Sequence, residues 1–94
     1  MIRHVVLCKI KQNAPLQKIK EEIENLKEKI EVIKHIEVGI DIRFDSNPSD
    51  FCIITEVEDT TDLKTYATHP EHLKVIEFLK QYLTERRVVD YYVQ

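Results

Sequence analysis

Gly39 is the only glycine in 94 residues. Phosphate-binding loops need several glycines at fixed spacings, so dinucleotide fingerprints and P-loops are excluded. The two cysteines, Cys8 and Cys52, stand inside apolar runs, in neither a C-x-x-C nor a zinc-ligand spacing. Two reduced, buried thiols in a cytoplasmic protein are expected, rather than a disulfide framework. No basic stripe is present either. The 14 Lys and Arg are interspersed with 17 Asp and Glu, for a net charge of −3. A partner that must be bound through many phosphates would need such a stripe, so neither nucleic acid nor an anionic membrane is expected. The apolar run near the start, Val5 to Cys8, is far too short for a signal core or a membrane span.

What remains is a chain 43% hydrophobic and 33% charged, the balance of a globular domain. Residues 1–94 are expected to form one domain, burying roughly 60–65% of the unfolded chain's surface. Residues 2–11, IRHVVLCKIK, read as a strand with Ile2, His4, Val6, Cys8 and Ile10 on one face and Val5 and Leu7 on the other. Pro15 suits a first helical position. From it to Glu31, Leu16, Ile19, Ile23, Leu26 and Ile30 recur at helical spacing, with Lys and Glu between them. Glu21, Glu22, Lys27 and Lys29 read as solvated. Residues 34–44 alternate, with Ile36, Val38, Ile40, Ile42 and Phe44 on one face. DSNPSD is a turn cluster, and 51–58 form a third strand. Thr60 or Thr61 can cap a short helix through Ala67, a second helix runs from Pro70 to about Leu83, and 87–93 form the last strand.

The order β-α-β-β-α-β predicts an α+β, ferredoxin-like fold: a four-stranded antiparallel sheet with helices on one face. Several strands are apolar on both faces, whereas helices can cover only one. The bare face would expose several hundred Å2 of apolar surface. A homodimer closed sheet face to sheet face, enclosing a barrel-like interior, resolves this. His4, alternating with Val6 and Cys8, is expected on the face turned to that interior.

The stretches MIRHVVLCKIK, TYATHPEH and RRVVDYY together resemble the stress-responsive A/B barrel, or Dabb, family over essentially the whole chain. The resemblance implies a dimeric α+β barrel. Most members have no assigned reaction, although one plant member closes a linear polyketide by aldol condensation. Carried over from it, the catalytic His falls on His72, the substrate-orienting Tyr on Tyr66 and an N-terminal active-site His on His4. A fourth pocket His falls on Ile53, a departure from the pattern.

The residues themselves suggest compatible chemistry. Proline disfavours helical geometry in the residue before it, which puts His69 at the helix boundary and His72 in the first turn. There the helix dipole and partial burial both disfavour imidazolium, leaving a neutral ring able to take a proton. The Tyr66 hydroxyl could donate to a carbonyl or enolate oxygen, and His4 could orient the pair. His69 and His72 lack the third ligand of a catalytic zinc site, and a divalent ion at Glu71 has no further support, so neither metal nor cofactor is expected. Two readings follow. One is a family member of unassigned reaction that binds a small apolar or carbonyl-containing molecule between helices and sheet. The other is a small cyclase or lyase with His72 as general base. The bland alternatives are a capping His72, a core Tyr66 and a hydrogen-bonded His4.

Overall fold

The computed structural model describes residues 1–43 and 46–94. Strand β1 (Ile2–Ile10) lies between β3 (Phe51–Val57) and β4 (Leu83–Tyr92), and β2 (His35–Ile40) adds to the far side of β3. All three pairings are antiparallel, in the order β2-β3-β1-β4. Helices α1 (Leu16–Glu24), α2 (Leu26–Lys29), α3 (Thr60–Thr68) and α4 (Pro70–Lys80) supply the second layer. This is the expected α+β, ferredoxin-like arrangement.

Alternation on the strands decides which side chains meet the helices. Ile2, Val6 and Cys8 of β1, Ile36 and Val38 of β2, and Phe51, Ile53, Thr55 and Val57 of β3 are buried on one face. Against them lie Ile19 and Ile23 of α1, Leu26 of α2, Tyr66 of α3 and Val75 and Leu79 of α4. Each aliphatic side chain so buried contributes about 1.5–3 kcal/mol. The outer edge of β2 is tied to α1 by a charged pair. The Lys20 ammonium donates to Glu24 Oε2 (2.7 Å) and to the Val38 carbonyl (3.1 Å), while Glu24 Oε2 accepts from the Val38 amide (3.0 Å). The edge's free backbone groups are thereby satisfied at that point. The Lys20 partner holds the Glu24 carboxyl below its usual range.

Several boundaries differ from the sequence reading. The long first helix divides at Asn25, and Pro15 is its N-cap rather than its first turn. β2 stops at Ile40, so alternation ends there and Ile42 is 82% exposed instead of sharing the core face. The placement expected for Phe44 lies outside the described residues. The cap of α3 is Asp59, whose carboxylate accepts from the Asp62 amide (2.9 Å), not Thr60 or Thr61. α4 ends at Lys80, and Leu83 opens β4 rather than closing the helix. β4 therefore starts four residues earlier than expected, because its pairing with β1 extends to Ile10 opposite Leu83. The register shifts between Lys9 and Ile10, leaving Thr84 without an opposite residue, and the Thr84 hydroxyl donates to the Lys9 carbonyl (3.2 Å). His4 also differs. With Val6 and Cys8 it faces the helices, not a space enclosed between two sheets. The bare face instead carries Val5 and Leu7, paired with Ile54 and Cys52. Among the described residues no helix is long and apolar enough to cross a membrane.

Because the Asp59 carboxylate holds the first turn of α3, Asp59→Ala is expected to cost about 1 kcal/mol in urea unfolding. Thr61→Ala should stay within about 0.5 kcal/mol, the range of an ordinary surface substitution. A larger loss in Thr61→Ala than in Asp59→Ala would refute this assignment of the cap.

Candidate functional site

Pro70 divides the two C-terminal helices. His69 is left extended at the junction (φ −63°, ψ 135°) and becomes the N-cap of α4, its Nδ1 accepting from the Glu71 amide (3.1 Å). This capping position agrees with the boundary position read from the sequence. Three residues on, His72 lies in the first turn of α4 and turns back across the end of α3. Its Nδ1 is 3.0 Å from the Ala67 carbonyl oxygen. A carbonyl can only accept, so Nδ1 carries the hydrogen and Nε2 is left as the basic nitrogen.

Tyr66, 3% exposed, lies under His72 with ring centroids 4.3 Å apart. Its hydroxyl oxygen accepts from the buried Thr55 Oγ1 at 3.4 Å, which leaves the phenol's own hydrogen available to a ligand. His4 approaches from β1, its ring centroid 5.9 Å from that of Tyr66 in an edge-on arrangement. Its Nδ1 pairs with Asp90 of β4, which stands directly opposite it in the ladder. The three residues expected to form a site, His4, Tyr66 and His72, do converge.

Two cavities that share part of their lining show the space they face. An outer cavity of about 310 Å3 is walled by His4, Tyr66, His72, Leu63, Arg86 and Asp90. This is at the small end of ligand pockets, which span roughly 300–1,000 Å3. A smaller inner cavity of about 30 Å3 shares His4, Tyr66, His72 and Arg86 with it and is otherwise apolar, with Val6, Ile53, Val75 and Leu79 in its wall. It has room for about one water or one methyl group. Ile53, where the family pattern would have a fourth His, is thus apolar wall here.

The surroundings set the protonation states. Burial pushes the His72 pKa below its ordinary 6.5, against the bond to Ala67 that favours the charged ring, and the electrostatic influence of the neighbouring His4, Arg86 and His69 acts in the same direction as burial. Burial likewise raises Tyr66 above 10.0, so the phenol stays protonated and remains a donor. Cys8, behind the site on β1, is pushed up to about 11 by burial and is an inert thiol. Glu71 is already bonded to Lys74 (3.3 Å), which lowers its pKa, and Lys29 is 3.8 Å away.

Sequence reasoning missed Asp90, Thr55 and Arg86. Asp90 had a signal: it is the lone acid in the apolar run VVDYY and shares the parity of Val88. Thr55 is the one fully buried polar side chain among the described residues, and nothing local in FCIITEVE marks it. Arg86 lies one residue before the strand that the sequence predicts, 87–93.

The lowered His72 pKa has a definite sign in stability. Above pH 6.5 the ring is neutral in folded and unfolded chains alike and adds no pH dependence. As pH falls through 6.5 the unfolded chain takes up a proton that the folded site resists, so stability declines until the folded value is passed. His72→Gln should remove this part of the decline. Urea unfolding of wild type and variant between about pH 7.5 and 5.5 measures it, and identical slopes would exclude the shift.

Among known proteins, no curated sequence matches the chain. Solved structures do. A dimeric protein of unknown function with a ferredoxin-like fold from Bacteroides fragilis is 33% identical, with a TM-score of 0.84 over 98% of this chain and 95% of that one. A Dabb family protein from Mesorhizobium loti is 20% identical (TM-score 0.83, covering 99% and 96%). A hydroxynitrile lyase from Passiflora edulis is 15% identical (TM-score 0.87, covering 99% and 93%), a likeness of fold alone. The stress responsive A/B barrel domain, Dabb, matches residues 2–93, and the chain belongs to that family.

Proposed function

We propose that residues 1–94 act as one domain binding a small carbonyl-containing molecule in the cavity between α3, α4 and the sheet, and that His72 serves there as a general base. The observation that carries this is the convergence of a neutral imidazole with a free Nε2, a protonated and buried phenol, and an Asp-held imidazole on one cavity. In the step this arrangement supports, His72 Nε2 takes a proton from the carbon next to the carbonyl. The electron pair of that C–H bond becomes the enolate, whose oxygen accepts from Tyr66 Oη. An apolar wall and a donor at the developing charge are what such a step requires. His4, fixed by Asp90, orients the bound molecule. The alternative is a binding module without catalysis, in which His72 only positions the ligand.

Deuterium uptake at the α-carbons of 2-butanone in D2O separates the two. Wild type is expected to accelerate exchange, His72→Ala to lose about 10²–10⁴-fold of that acceleration and Tyr66→Phe a smaller share. Equal exchange in wild type and His72→Ala would eliminate the base and leave the binding reading.

We also infer that the working form is a homodimer closed through the bare sheet face. Its centre is apolar: Val5, Leu7 and Ile54, with Val89 and Tyr91 of β4 exposed at 56% and 42%. Polar pairs border it at one end, Arg3 with Glu56 (2.6 Å) and His35 with Glu37 (3.1 Å). An apolar centre with a polar border is the usual build of an interface, and the Bacteroides fragilis relative is described as dimeric. The cytoplasmic assignment is part of the same reading, supported by two cysteines that are both free. Leu7→Glu, placing a charge at that centre, should convert a dimer to a monomer in sedimentation at micromolar concentration. A wild-type monomer under those conditions would remove the inference.

A further inference from the structure

Arg86 stands opposite Cys8 on the helix-facing side of β4. The unshifted ladder puts it there, in step with Val88 and Asp90, and the register shift at Thr84 brings Leu83 to the same face. In an unbroken strand, residues 83 and 86 would point to opposite faces, yet both side chains line the inner cavity. Arg86 also lines the outer cavity, alongside Lys64. Among the described residues, the Arg86 guanidinium forms no hydrogen bond or ion pair. The carboxylate in the same wall, Asp90, is engaged by His4. The charge of Arg86 acts on the rings beside it, disfavouring protonation of both Tyr66 and His72.

A planar guanidinium without a counter-anion, in the wall of a half-enclosed cavity, is a ready receptor for a carboxylate, which it can hold through two parallel N–H···O bonds. The neighbouring Asp90 disfavours a dianion such as phosphate, whereas a single negative charge fits one arginine with one lysine at the rim. We propose that the ligand of this site is a short oxo-carboxylate, its carboxylate held by Arg86 and its carbonyl turned inward to Tyr66 and His72. The methyl-sized inner cavity limits what can lie beyond that carbonyl. Such a ligand would span the site with a methyl ketone at one end and an anion at the other. The assignment rests on the small-molecule reading above and names its substrate class.

The test is an NMR titration of 15N,13C-labelled protein with 4-oxopentanoate, its methyl ester and inorganic phosphate, read at the resonances of Tyr66 and His72. The expected result is saturable binding of 4-oxopentanoate. Binding should be weakened roughly tenfold or more in Arg86→Gln and less in Arg86→Lys, which keeps the charge without the fork. The ester should bind weakly and equally to wild type and Arg86→Gln. Arg86 is exposed, so the variant should keep the wild-type amide spectrum. Equal affinity for acid and ester, or no effect of Arg86→Gln, would overturn the anion assignment while leaving the pocket intact. Phosphate binding as tightly as 4-oxopentanoate would overturn the carboxylate class. No shift at Tyr66 or His72 with either the acid or the ester would overturn both the assignment and the pocket reading beneath it.

Discussion

Strand β1 is hydrogen-bonded on both edges, and that pairing fixes the direction of every side chain on it. Side chains on a strand alternate with a strict period of two, so a central strand must satisfy two different surroundings at once. Ile2, His4, Val6 and Cys8 meet the helices, while Arg3, Val5 and Leu7 meet whatever covers the other side. The core, the candidate site and the bare apolar face all follow from this one register. A slip of one residue would bring Arg3 to the helices and remove His4 from the cavity.

The site lies where the helical layer stops. α1, α2 and α4 bury their apolar residues over β1, β2 and β3, but β4 is exposed along most of its length. At that border the buried phenol of Tyr66 meets half-covered His72 and the partly exposed pair of His4 and Asp90. Full burial would leave no way in for a ligand, and full exposure would leave the imidazole at its ordinary pKa. A border between layers gives both a desolvated imidazole and a cavity open to the surface. The break at Pro70 contributes in the same place. By ending α3 and starting α4 at a new angle, it lets His72 reach back to the Ala67 carbonyl and so selects which of its nitrogens is basic.

Much of this was legible in the chain. The alternation of β1, the helical spacing from Leu16 to Ile30, the X-Pro boundary at His69 and the two-faced apolar strands all come from local steric and solvation rules acting on neighbouring residues. Those rules gave the α+β order and the position of His72 within its helix. They also gave the approximate convergence of His4, Tyr66 and His72, with the help of the resemblance to the Dabb family. One error is of face, His4 meeting the helices rather than a space between two sheets, and the others lie at boundaries. The first helix is divided at Asn25, Ile42 leaves the sheet, Asp59 rather than a threonine is the cap, and β4 begins at Leu83 because its partner strand continues.

The sequence by itself determined what each segment could become, because propensity, periodicity and proline geometry act over a few residues. Only the tertiary structure decided which distant groups would meet. Asp90 bonds His4 across 86 positions of chain, Thr55 reaches Tyr66, and the pairing of β4 with β1 sets Arg86 opposite Cys8 in the cavity wall. Strand register is a collective property of two strands packed against a third layer. No window on either strand alone contains it, so the electrostatics of the site became readable only when the sheet had closed.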